Sequence, residues 1–408
     1  MNRAALSIVL VGVFVVNGCA ATAPVRTGDN AASPSFSPSL AASAAASVAA
    51  DRYRLGHFPT APDGPLSDQV ALSMQAIVNA AVDDGLPSIS ATVMAADRGV
   101  WSGVAGTADG AHPVELGSQF AIASLTKTVI AAQVLHLVET GHLQLGDSAS
   151  DHLPDDFKFD TNGATIENLL AMESGIPDPR LTLPGADPQR VWTAREVLTT
   201  VPTQRSGPGD RFVYEDSNYM LLGLVIEEIT GTSVATALRA GVLADPRLSA
   251  LVYQPDEQPT GPLAMPFGIQ RRTEGNDQSG DYLPNAALTS SGNGSGCMAS
   301  DSASLALFGY LLFGGSLISE DSLLAMTDFG SGADYDGYGL GVFEQTNLAQ
   351  GFSARAVGNG GWEVGGYSSV LVVLPSEGLA ISVMTNTAGS PIELVMPVAQ
   401  KLAVAVAG

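Results

Sequence analysis

Ser124 and Lys127 stand three residues apart in Phe120–Ile130 (FAIASLTKTVI), an S-x-x-K spacing that occurs once in the chain. On an α-helix that separation is roughly 60° of rotation and about 4.5 Å of rise, so both side chains share a face. A serine hydroxyl so placed becomes a nucleophile when a neutral lysine amine takes its proton. Desolvation or a cationic neighbour lowers a lysine pKa enough for that role. The apolar positions Val129, Ile130, Val134, Leu135 and Val138 predict a helix beginning at Ser124. Its free N–H groups and positive dipole end would favour developing negative charge. With only three lysines in the chain (Lys127, Lys158, Lys401), about 0.3 such matches arise by chance. The competing reading is a surface helix capped by Ser124, and partner motifs must decide between the two.

The elements that would position this pair come from both halves of the chain. Leu66–Val82 is amphipathic at helical spacing, and Ser88–Ala96 with Gly99–Gly106 reads as a hairpin turning at Asp97–Gly99. Residues 124–313 read as helix and loop, with Ala164–Met172 and Met220–Thr230 the clearest helical patterns. Strands return at Gly339–Glu344, Ser353–Val357, Ser368–Leu374 and Leu379–Thr385, before a final helix over Pro391–Val406. The expected fold is α+β (α/β in the broad sense): an antiparallel sheet built from both chain ends, flanked by helices, with an all-helical lobe inserted between.

Composition narrows the function. Across 408 residues, 45% hydrophobic content supports a large core, and a net charge of −23 argues against nucleic acid or an anionic membrane surface as partner. Residues 1–18 read as a signal peptide, with Arg3 ahead of an apolar run from Ala4 to Val16. Val16-Asn17-Gly18-Cys19 resembles a bacterial lipobox, which makes Cys19 the lipidation candidate and the membrane a partner through that anchor. The Ala-, Ser- and Pro-rich residues 19–65 read as a tether and 66–408 as the folded domain, exported and held at the outer face of a bacterial membrane. The five histidines show no metal spacing, no G-x-S-x-G elbow exists, and no cofactor is expected. The Gly-rich run Ser290–Gly296 reads as a flexible turn, and Cys297 as a small buried residue.

Further motifs join Ser124 and Lys127. Leu169–Pro177 ends a helix in a Ser-Gly-x-Pro loop, Pro208–Tyr219 contains Tyr214-Glu215-Asp216 ahead of a helix, and Gly358-Asn359-Gly360-Gly361-Trp362 precedes an apolar strand. With Gly296–Ser300, this order resembles the serine β-lactamase and D-alanyl-D-alanine peptidase superfamily. The branch is the one holding class C β-lactamases, related D,D-carboxypeptidases and β-lactamase-like esterases, and the resemblance covers Leu66–Val406. It implies Ser124 as nucleophile, Lys127 as base, Tyr214 as proton relay to the leaving group, and the N–H groups of Ser124 and Trp362 as oxyanion hole. It also implies that Asp216, Asn359, Gly361 and Trp362 line the substrate site.

Two positions depart from that pattern. Asp216 stands where the family has Asn, and Asn359 where it has the Lys or His that meets a substrate carboxylate. Arg355, four residues upstream, lies about 13 Å away along a strand and substitutes poorly. The sequence therefore points to an exported serine hydrolase acting through an acyl-enzyme on a small ester or amide. A D-alanyl-D-alanine carboxypeptidase or weak β-lactamase acting on cell-wall peptides is the second reading. The third is a binding or sensor protein whose site has degraded.

Overall fold

The computed structural model describes residues 58, 61–179, 190–203, 206–266, 286–329, 337–345, 355–363 and 365–407. The expected signal peptide, Cys19 and most of the tether lie outside them. Six antiparallel strands form the main sheet: β1 (Ser88–Ala95), β2 (Gly99–Gly106), β6 (Phe343–Glu344), β7 (Val357–Glu363), β8 (Tyr367–Leu374) and β9 (Leu379–Thr385). Their order is β2-β1-β9-β8-β7-β6, so β1 from one end of the domain pairs with β9 from the other. A small sheet of β3 (Phe120–Ala121), β4 (Val252–Tyr253) and β5 (Met298–Ser300) runs in the order β3-β5-β4.

Period-two alternation gives this sheet two apolar faces. Ile89, Val93, Val370, Val372, Ile381 and Val383 join one core, while Met94, Leu371, Val373, Ala380 and Met384 join the other. The five longest described helices divide accordingly. α1 (Asp68–Asp83) and α5 (Met396–Ala407) cover the first face through Met74, Val78, Val398 and Leu402. On the second face, α4 (Ser302–Phe313) packs on β9, β1 and β8. α2 (Leu125–Glu139) and α3 (Ser217–Thr230) pack on each other in the helical part between β3 and β6. This is the α+β architecture read from the sequence, except that the inserted lobe expected to be all-helical contains the short strands β4 and β5, which pair with β3.

Four local expectations need correction. The strand placed at Ser353–Val357 begins at Val357 and continues to Glu363, so it takes in the Gly-rich motif expected to precede a strand; residues 353 and 354 lie outside the described set. Within Gly339–Glu344 only Phe343–Glu344 is strand. The final helix is broken at Val395 into Pro391–Leu394 and α5, because Pro397 lacks an N–H and is accommodated only in a first turn. Ser290–Gly296 is not a flexible turn: helix Ala286–Gly292 passes into a 3-10 turn at Asn293–Ser295.

Glycine is needed where β7 crosses the segment before Ser124. A β-carbon on Gly361 would lie 1.9 Å from the Ile122 carbonyl oxygen and 2.6 Å from Ser369 Oγ. The strand and the nucleophile's backbone thus touch without a side chain between them. Gly361→Ala is expected to cost about 1–3 kcal/mol and to lower the thermal midpoint by several degrees, with loss of activity. An unshifted calorimetric midpoint would show that this contact is looser than the structure places it.

Candidate active site

The segment entering α2 is held on both sides before it reaches Ser124. β3 pairs with β5, and the Ile122 N–H donates to Met298 O at 3.0 Å. Ala123 then takes φ 46°, a left-handed conformation that disfavours a β-carbon and is typical of backbone constrained at functional sites. Ser124 occupies the N-cap position, but its hydroxyl makes no capping bond. Instead it accepts from Lys127 Nζ at 3.2 Å.

α2 is buried around most of its circumference, and Lys127 goes with it, at 0% exposure. A buried ammonium needs acceptors for its three protons, and three are supplied. They are Ser124 Oγ, the Ser295 carbonyl at 2.7 Å and Asp216 Oδ1 at 2.6 Å. Burial pulls the lysine pKa down, but the neighbouring Asp216 and Tyr214 outweigh it, and the net displacement is above the ordinary lysine value. At rest the amine is therefore an ammonium, whereas the sequence reading asks for a neutral amine when it acts. The same geometry serves both states: after one proton leaves, Nζ can still donate to Ser295 O and Asp216 while its lone pair faces Ser124 Oγ.

Asp216 sits at the N-cap position of α3 without capping it, its carboxylate turned to Lys127 and its N–H donating to Asp178 Oδ1. Loss of water and the charges of Asp216 and Glu215 hold the Asp178 carboxyl above the usual range. The Tyr214 ring lies 4.9 Å from Lys127 Nζ and is wedged by Phe343 and Tyr338, each 6.1 Å away between ring centroids. Ser124 and Tyr214 open onto a cleft of about 380 Å³ whose walls include Phe343, Asn359, Trp362, Pro391 and Ile392.

Asn359 reaches that cleft only with its outline. It is 1% exposed, and its amide N–H groups donate to Thr128 Oγ1 at 3.2 Å and Gly341 O at 3.4 Å, while Oδ1 accepts from Gly360 N at 2.8 Å. Its protons already tie β7 to α2 and are not free to meet a substrate carboxylate. Arg355 is no replacement, since it pairs with Glu344 at 2.8 Å. Gly361 provides the close approach described above, and Trp362 stands half-exposed at the rim. Asp178, Ser295, Tyr338 and Phe343 were missed in the sequence. Only Phe343 carried a signal there, as an apolar member of a predicted strand.

Replacing Asp216 by Asn removes the charge that raises Lys127 and leaves the burial that lowers it. The lysine pKa should fall, since the opposite charge that held it up is gone. The acidic limb of the kcat/KM profile then moves to lower pH. A profile depressed at every pH with an unmoved limb would show that Asp216 itself receives the proton.

A family model described as Beta-lactamase matches residues 74–405. Protein flp of Staphylococcus aureus (strain MW2) is 35% identical over 122 residues, 28% of this chain and 24% of that protein. Penicillin-binding protein 4* of Bacillus subtilis (strain 168) is 28% identical over 136 residues, 32% of this chain and 30% of that protein. The matches thus span less than a third of the length of either curated relative. Among solved structures, a D-stereospecific amidohydrolase from Streptomyces sp. superposes with TM-score 0.66 at 25% identity, over 80% of this chain and 97% of that one. D-amino acid amidase from Ochrobactrum anthropi SV3 shares the fold with TM-score 0.70 at 22% identity, over 84% and 99% of the two chains. A family match across nearly all of the folded part and a common fold lead to one conclusion: the chain belongs to the beta-lactamase family.

Proposed function

We propose that this protein is a serine hydrolase that forms an acyl-enzyme on small, uncharged esters or amides. The observation that carries the proposal is Lys127 Nζ, held between Ser124 Oγ at 3.2 Å and Asp216 at 2.6 Å behind a cleft that Tyr214 also lines. In its amine form Lys127 takes the Ser124 proton as Oγ attacks the substrate carbonyl. The N–H groups of Ser124 and Trp362 receive the oxyanion; one such donor is typically worth about 2.7–4 kcal/mol. Tyr214 passes a proton to the departing atom, and water then cleaves the acyl-serine. The activity of one structural relative, the D-stereospecific amidohydrolase, supports an amide as one substrate type.

The preference for uncharged substrates follows from what the cleft lacks. None of its described lining residues is a cation, Lys127 is saturated behind it, and the Asn359 amide is already bonded. A hydrogen bond to a charged group contributes about 1.5–3 kcal/mol, so carboxylate recognition should be weaker by roughly 10- to 150-fold. Incubation with a fluorophosphonate is expected to add the probe's mass less HF to the wild type, as the Ser124 Oγ–P bond forms and fluoride leaves, and nothing to Ser124→Ala. The kcat/KM values for a D-Ala-D-Ala peptide and its methyl ester should agree within about tenfold. Labelling of Ser124→Ala would remove the nucleophile assignment, and a hundredfold preference for the free acid would favour the carboxypeptidase reading.

We also propose an exported protein anchored through Cys19, on the sequence pattern given above. One acyl chain binds membranes only marginally, so firm anchoring needs several. Cys19→Ser should move the protein from the membrane fraction to the soluble fraction; unchanged membrane retention would count against the anchor.

A further inference from the structure

Two of the large apolar side chains left exposed on this protein flank the same cleft: Trp362 at 48% and Ile392 at 63%. Scattered singly, exposed apolar residues need no explanation. Trp362 and Ile392 line the same cleft as Phe343, Val370, Pro391 and Met396, so much of its lining is apolar. The break at Val395 frees the turn Pro391–Leu394 from α5, and Gly360 lets Pro391 approach β7, since a β-carbon there would lie 3.2 Å from Pro391 Cβ. The acidic group in the lining, Glu344, is paired with Arg355.

Which part of a substrate enters here follows from the reaction, so this inference rests on the hydrolase reading above. As Ser124 Oγ attacks, the carbonyl oxygen must turn to the backbone donors and the departing atom must face the Tyr214 hydroxyl. Tyr214 and Ser124 both open onto this cleft, so a group attached to the departing atom has room to extend into it. We propose that the substrates carry an uncharged, apolar leaving group, an alkyl or aryl alcohol or amine, which the Trp362–Ile392 cleft binds. For an ester, the Ser124 Oγ–acyl bond forms as the acyl–O(alcohol) bond breaks. The Ser124 proton goes to Lys127, the Tyr214 proton goes to the alcohol oxygen, and Lys127 returns a proton to Tyr214. Water then cleaves the acyl–Oγ bond, so ester and water yield acid and alcohol.

The experiment compares two series by pH-stat on the full chain, below the solubility limit of each ester. One is ethyl, butyl and hexyl acetate; the other is ethyl acetate, butyrate and hexanoate. Because kcat/KM reports steps only through acylation, slow deacylation does not mask the leaving group. In the alcohol series kcat/KM should rise by roughly two- to fourfold per methylene, against less than a twofold change in total along the acyl series. Ile392→Glu should lower the hexyl-to-ethyl acetate ratio by at least fivefold with no change in thermal midpoint. A flat alcohol series, or a rise confined to the acyl series, while Ser124 still takes up fluorophosphonate, overturns the leaving-group assignment alone. Hydrolysis of neither series together with no adduct at Ser124 overturns the hydrolase reading and this inference with it.

Discussion

A lysine ammonium with no exposure to water is the constraint on which the site depends. Removing such a charge from water costs several kcal/mol unless its protons find acceptors in good geometry. Here the acceptors come from three separate stretches: Ser124 at the start of α2, Ser295 in the turn ahead of β5, and Asp216 at the start of α3. Each must hold its position or the ammonium is left unsatisfied. The same demand explains why Ser124 and Asp216 occupy N-cap positions yet make no capping bonds: their oxygens are engaged by Lys127 instead. Asp216 remains 37% exposed, so its attraction is partly screened, and its N–H bond to Asp178 helps fix where the carboxylate points.

The sheet contributes through closeness rather than through charge. β7 lies against Ile122 because Gly361 has no side chain, and Asn359 fastens that strand to Thr128 on α2 and to Gly341. The rim of the cleft is thereby held at a fixed distance from Ser124. Where relatives by resemblance place a cation, this chain has a buried amide serving the scaffold. The charge available for recognising a carboxylate is lost, and a neutral tie between strand and helix stands in its place. An apolar cleft, a saturated lysine and an acidic chain are mutually consistent with uncharged substrates.

Much of this was legible because it depends on local pattern. The hairpin of β1 and β2, the strand Leu379–Thr385 and the helix after Ser67 each follow from periodicity over eight or so residues. S-x-x-K puts two functional groups on one helical face whatever surrounds them, and the Tyr214-Glu215-Asp216 and Asn359–Trp362 motifs are contiguous. Reading failed where a residue's conformation answers to a distant neighbour. Gly358–Trp362 reads from the sequence as a motif ahead of a strand, yet it is itself strand, because its glycines permit the contacts with Ile122 and β8.

The sequence by itself therefore determined the fold class, the helix bearing Ser124 and Lys127, and the candidate residues, since these are properties of short segments. Only the tertiary structure decided that Lys127 rests as an ammonium, that Asn359 is a buried tie, and that Ser295, Asp178, Tyr338 and Phe343 belong to the site. Protonation and hydrogen-bond saturation are set by whichever groups fold within about 3–4 Å. For Lys127 and Asn359, residues up to 235 positions apart in the chain supply those groups. No pattern along the sequence encodes that distance.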